Sequence, residues 1–305
     1  MDLVNTQYRA QPNAWNGALY AGSVIAIWTG FVLVSRAGGV SVLTAWDVIA
    51  IRYSSAALLV LPLWWGRRRT PLWTTRHCLL AAVGGLGYAV LAFAAFKRVP
   101  AAHAGILLPG LQPFAASLAA WLLLGERPGR LRVVGLAAIA GGVACLLVDG
   151  LRATALLGDG LMLGASACWA CYAVLLRRWS VSPWDATLAV TLLTAMAYLP
   201  VYALLLPKQL SLASGADIAL QAVYQGLVAT IIQMFLFVRT VALIGPTRLS
   251  LLMALVPGLA GVAAVPLLGE PLGSWLVAGL AWVSLGAWIG SRPVKPIPER
   301  KPCPT

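Results

Sequence analysis

Residues 111–142, LQPFAASLAAWLLLGERPGRLRVVGLAAIAGG, return at 255–286 as LVPGLAGVAAVPLLGEPLGSWLVAGLAWVSLG. At this offset of 144, Leu111, Pro113, Ala119, Gly125, Glu126, Val133, Gly135, Leu136, Ala137 and Gly142 fall on Leu255, Pro257, Ala263, Gly269, Glu270, Val277, Gly279, Leu280, Ala281 and Gly286. Further toward the N-terminus the offset shrinks, as loops of unequal length require. Trp28 and Arg36 meet Trp169 and Arg177 at 141, and Trp46 and Asp47 meet Trp184 and Asp185 at 138. The chain is therefore two related halves, 1–149 and 150–290, followed by a tail at 291–305.

Each half carries five long apolar runs. Of the 305 residues 60% are hydrophobic and 10% charged, with a mean hydropathy of +0.85. A soluble surface needs about 25% charged residues, so this one is built to face lipid. About 20 apolar residues cross a bilayer core as a helix. Runs of that kind lie near 17–35, 46–65, 78–96, 101–124, 131–148, 158–176, 184–206, 217–238, 247–268 and 273–290. The expected fold class is an all-α integral membrane protein of ten transmembrane helices. Five spans per half, an odd number, force the second half to enter from the opposite face, which makes an inverted-topology repeat.

Residues 1–16 are polar and lack a short apolar core with a small-residue cleavage site, so the first span is expected to remain in the protein. The tail, with Pro293, Pro296, Pro298 and Pro302 among charges, is expected to be disordered. The net charge of +13 marks topology rather than nucleic acid, because basic residues collect between apolar runs. With the N-terminus inside, cytoplasmic segments hold 16 of the 22 Lys and Arg residues and external segments 5. By the positive-inside rule both termini are cytoplasmic, in a cell (inner) membrane.

The chain resembles the drug/metabolite transporter (DMT) superfamily, EamA-repeat type, and within it the amino-acid and metabolite exporters. The likeness rests on Leu122–Glu126 (LLLGE) and Pro266–Glu270 (PLLGE), each preceded by a mid-span proline, Pro113 and Pro257, and it extends to Arg52. It implies a ten-helix exporter of small organic solutes with a central cavity lined by the first, third and fourth helices of each half. Val190 stands at the Arg52 position of the second half, a departure from the pattern.

Several residues invite a role beyond scaffold. Trp28 and Trp169 are repeat equivalents near the middle of their spans, away from the interfacial belt where tryptophan collects and where Trp15, Trp64, Trp65 and Trp184 fall. With Tyr88 and Tyr172 as further aromatic wall, and Gln112 and Gln233 as polar contacts, they form the expected solute site. An indole at midplane needs a cavity or a hydrogen-bond partner, though large aromatics also fill bundle interiors. Pro113 and Pro257 interrupt helical hydrogen bonding and either shape and gate the cavity or pack around a kink. Arg52 can snorkel, pair with a carboxylate or meet a solute carboxylate; the structural pair is the favoured expectation. Glu126 and Glu270 end spans and are expected to join charge pairs, Glu126 with Arg127, Arg130 or Arg132. His103 and Gln225 read as interhelical hydrogen bonders. Gly160 with Gly164, and Gly286 with Gly290, have the spacing that lets membrane helices approach.

No phosphate-binding loop, metal-ligand cluster or mid-span carboxylate is present. No cofactor or metal is expected, and Cys168 and Cys171 read as buried thiols. The composite expectation is a secondary transporter of small amphipathic metabolites, aromatic or hydrophobic amino acids foremost. The alternatives are a multidrug or other metabolite efflux carrier and, in another class, a membrane-embedded receptor or enzyme scaffold. The expected partners are a small-molecule solute and membrane lipid. The sequence sets no oligomeric state and is compatible with a monomer.

Overall fold

The computed structural model describes residues 14–67, 71–127, 129–149 and 153–290; the tail at 291–305 lies outside them. They form ten membrane-crossing helical elements: α1 (Ala14–Val40), α2 (Ala45–Arg67), α3 (Thr75–Phe96), α4 (Ala101–Leu124), α5 (Arg130–Asp149), α6 (Ala153–Trp179), α7 (Pro183–Leu205), α8 (Gly215–Ile244), α9 (Pro246–Met253 and Val256–Leu268) and α10 (Ser274–Gly290). Large apolar side chains such as Leu58, Leu122, Leu204, Leu205 and Leu267 are exposed around the bundle, where lipid covers them. The architecture is two inverted five-helix repeats. Across the pseudo-symmetry α2 packs on α7 and α5 on α10, while α6 packs on α3 and α4. The end holding the start of α1 and the finish of α10 is called the terminal end below, and the other the distal end.

Local chemistry explains the repeated motifs. In Leu122–Glu126 and Pro266–Glu270 the glycine terminates its helix in the left-handed conformation, at φ 72° for Gly125 and 67° for Gly269, which costs an L side chain energy but not glycine. Each then returns its N–H to the helix, Gly125 to Trp121 O at 2.9 Å and Gly269 to Val265 O at 3.1 Å. The glutamate that follows also returns its N–H to the helix, Glu126 to Ala120 O and Glu270 to Ala264 O, both at 3.4 Å, and its side chain projects beyond the helix end. The Trp-Asp pairs mark helix N-caps, a full capping box in the first half and an N-cap alone in the second. Asp47 N donates to Thr44 Oγ1 at 3.0 Å while Thr44 N donates to Asp47 Oδ2 at 2.8 Å, and Asp185 N donates to Ser182 Oγ at 3.1 Å.

The mid-span prolines differ from expectation. α9 breaks at residues 254–255, and Pro257 lies in the first turn of its second segment, where a missing N–H is no loss. Pro113 likewise opens the regular helix Gln112–Leu124 after the wide turns of Ile106–Gly110. They start helices rather than kink them.

The close approach of α5 and α10 rests on glycine. A Cβ on Gly135 would come within 2.5 Å of Gly286 O and 2.7 Å of Gly290 N. The Gly286–Gly290 pair thus serves as expected. Gly160 does not, since a Cβ there would meet nothing within 4 Å. It faces outward.

Candidate functional site

A cavity of about 360 Å³ lies between the halves. Its walls come from the first three helices of each half. The implied lining by first, third and fourth helices is corrected, because α4 and α9 pack against each other and leave α2 and α7 to complete the wall.

Aromatic rings form the middle of the cavity. Trp28 of α1 meets Trp169 of α6 edge-on at 6.1 Å, and Trp169 lies 5.2 Å from both Tyr88 and Tyr172. Gly84 of α3 makes room for this cluster, since a Cβ there would strike the Tyr172 ring. Five of the expected solute contacts, Trp28, Tyr88, Trp169, Tyr172 and Gln233, line one cavity. Gln112 is not among them. It turns toward α6, where Nε2 reaches Ser166 Oγ at 3.4 Å, because α4 packs along that helix outside the cavity wall. Pro113 and Pro257 are also absent from the lining; Pro257 packs on Gly105 and Gly110 of α4.

Two polar groups in this wall lack protein partners among the described residues. Trp28 Nε1 and both the oxygen and nitrogen of the Gln233 amide are buried and make no hydrogen bond. A buried amide left unsatisfied costs about 1 to 3 kcal/mol. Such groups are uncommon in a finished core.

Arg52 is the charged member of the lining. Its expected carboxylate partner is replaced by an amide: Nη1 donates to Gln225 Oε1 at 2.6 Å, and Gln225 Nε2 donates to Ser35 Oγ at 2.9 Å. The guanidinium also lies over Phe31 at 5.7 Å and Tyr53 at 6.0 Å. Val190, its repeat equivalent, also lines the cavity.

Beyond Arg52 the distal end is closed by polar bonds. Arg36 Nε donates to Glu270 Oε1 at 2.6 Å and its Nη1 to Phe96 O at 2.8 Å, while Glu270 Oε2 accepts from Ala101 N at 2.6 Å. Asp47 accepts from Tyr202 Oη at 2.5 Å and Gln209 N at 3.1 Å. Lys97 donates to Ser41 O and Leu43 O. Burial first, and the Arg36 charge second, hold its ammonium below the usual lysine range against the pull of Asp47. His103 Nδ1 lies 3.0 Å from Asp159 Oδ1, both buried; this pair joins α4 to α6. Asp159 was missed in the sequence because it lies near the start of its span and resembles a loop residue. His103 and Gln225 do bridge helices, as expected.

At the terminal end the equivalent ion pair is looser. Arg177 Nη2 donates to Glu126 Oε2 at 2.7 Å with both side chains more than half exposed. The neighbouring arginines expected for Glu126 give way to one from the other half. Here the cavity reaches Leu176, Pro183 and the exposed Phe237. Cys78, Cys145, Cys168 and Cys171 are free thiols.

An inverted ten-helix bundle with an inter-repeat cavity is the architecture of a membrane transporter. The EamA-like transporter family model matches residues 15–148 and 156–292, and the chain belongs to that family. It is accordingly a multi-pass membrane transporter of small solutes. A solved structure described only as a crystal structure of a protein is similar over 90% of this chain and 97% of its own, with a TM-score of 0.62 and 20% identity. That likeness concerns the fold. No curated protein matches the chain.

Proposed function

We propose that this protein is a secondary carrier exporting small amphipathic metabolites, amino acids with aromatic or hydrophobic side groups foremost, by gradient-driven alternating access. The observation that carries the reading is the inter-repeat cavity, whose aromatic wall presents an unpartnered Trp28 N–H and Gln233 amide. Rings bind the apolar body of a solute, and the two polar groups complete their hydrogen bonds on it. Among the described residues no Asp or Glu lines the cavity, so amine-only drugs, the nearest alternative cargo, lack a counter-charge there.

Alternating access has a structural basis in the two ion pairs. Arg36 with Glu270, and Arg177 with Glu126, are the same contact repeated at opposite ends, each joining an arginine of one half to a glutamate of the other. The distal pair is largely buried and supported by backbone bonds, whereas the terminal pair is exposed. This conformation is closed distally and accessible from the terminal end. The two halves, 1–149 and 150–290, are the units that rock.

In purified protein reconstituted into liposomes, Trp28→Leu and Trp169→Leu should each cut flux of labelled aromatic amino acids at least tenfold while leaving monodisperse yield in detergent near wild type. Unchanged flux in both would remove the aromatic site.

The charge bias supports both termini in the cytoplasm, in a chain of a cell (inner) membrane. A single cysteine replacing exposed Lys208 should react with an impermeant maleimide in intact cells, and one replacing exposed Ser180 should be protected. The reverse pattern would invert the topology.

A further inference from the structure

We infer that the solute is recognised through a carboxylate, which docks on Arg52 and replaces Gln225 as the partner of its guanidinium. This rests on the cavity being the solute site, and it narrows the cargo to carboxylates with an apolar or aromatic body.

Arg52 lies seven residues into α2, about 10 Å along the helix axis, where a charge is expensive and is retained for function. A guanidinium has five N–H donors; this one gives a hydrogen bond to one neutral amide oxygen and lies near two rings. Among the described residues, the carboxylates of the distal end have other partners. Asp47 is held by Thr44, Tyr202 and Gln209, Glu270 by Arg36 and Ala101, and Asp159 by His103. Among the described residues no carboxylate stands within 4.0 Å of Arg52. The cavity therefore contains a planar cation with donors to spare and no protein carboxylate paired with it among the described residues, a geometry matched by the two oxygens of a carboxylate.

Gln225 is suited to yield. Its oxygen accepts from Arg52 while its nitrogen is anchored on Ser35, so it holds the guanidinium in place until a charged acceptor outbids a neutral one. A carboxylate brings a full opposite charge and two oxygens that accept from the guanidinium fork together, where the amide offers one neutral oxygen. With Val190 at the equivalent position of the other half, the anion site exists once. The solute binds in one orientation, its carboxylate toward the distal end and its apolar body along Trp28 and Trp169.

The test compares L-phenylalanine, 3-phenylpropionate, which lacks the ammonium, and 2-phenylethylamine, which lacks the carboxylate. Binding to the full-length protein is read by tryptophan fluorescence in detergent, and transport by counterflow in liposomes. Wild type should bind and move both carboxylates and bind the amine at least tenfold more weakly. Arg52→Gln should weaken carboxylate binding roughly ten- to a hundredfold, and Arg52→Lys should recover part of it as a charge without the fork. Aromatic solutes that bind and move with equal strength whether or not they carry a carboxylate would overturn the inference and leave the carrier reading intact. If no probe binds or moves, both fall. Should Arg52→Gln not fold, the wild-type comparison still decides.

Discussion

Glu270→Ala should lower the melting temperature of the detergent-solubilised protein by about 5 to 10 °C, whereas Glu126→Ala should shift it by no more than about 2 °C. The two glutamates occupy equivalent places in the repeat, so sequence alone predicts equal effects. Their surroundings differ. Arg36 and Glu270 side chains are 14% and 16% exposed; removing one partner of a fully buried pair costs roughly 3 to 5 kcal/mol because the other charge is left without compensation, an upper bound for this largely buried one. Glu270 also satisfies Ala101 N at the start of α4, which its loss would orphan. Phe96 O still accepts from Arg36, which holds the cost toward the lower figure, and about 3 kcal/mol corresponds to several degrees in a chain of this size. Arg177 and Glu126 are 56% and 55% exposed, where pairs contribute about 0 to 1 kcal/mol. Thermal unfolding followed by size-exclusion fluorescence separates the cases. Equal shifts would show that the two ends are equally closed.

Gly286→Val should abolish recovery of monodisperse protein, and Gly160→Val should leave it unchanged. At Gly286 the added Cβ would stand 2.6 Å from Gly135 O and 2.9 Å from both Ile139 N and Ile139 Cγ1. Two of those atoms are backbone of α5 and cannot rotate away, so the whole helix must retreat. Overpacking an ordinary core costs about 1 to 3 kcal/mol; here a displaced helix also loses the close contact that holds membrane helices together without a hydrophobic drive. Gly160 shares the spacing motif but faces outward into open space. Normal yield for Gly286→Val would mean that α5 and α10 are not packed as described.

The fold was legible because lipid imposes its own arithmetic: ten apolar runs and a repeat whose offset drifts from 144 to 138 define ten helices and their inversion. Gly125 and Gly269 could be recognised as helix ends because few residues accept a left-handed cap. The aromatic cluster was legible too, since the repeat offset paired Trp28 with Trp169 before their rings were seen 6.1 Å apart. Gln112 could not be placed, because midplane depth does not say which way a side chain turns, and a wide turn just before it at Ile106–Gly110 resets the helical phase. The partner of Arg52 was hidden for a different reason. Gln225 stands 173 positions away, and charge matching searches for acids, not amides. Asp159 escaped notice because a carboxylate near a span end reads as solvated until a histidine from another helix is found against it.

The uncompensated Arg52 bears on how the protein responds to voltage. A bilayer potential acts on any charge whose position in the field changes, by about 2.3 kcal/mol per elementary charge for a full crossing at 100 mV. The empty cavity holds one such charge, so turning it from one face to the other is biased by whatever fraction of the field shifts across that site. A carboxylate on Arg52 cancels this charge for the loaded journey. Membrane potential then acts chiefly on the return of the empty carrier when the cargo is a simple anion, and on both journeys when the cargo brings an ammonium of its own.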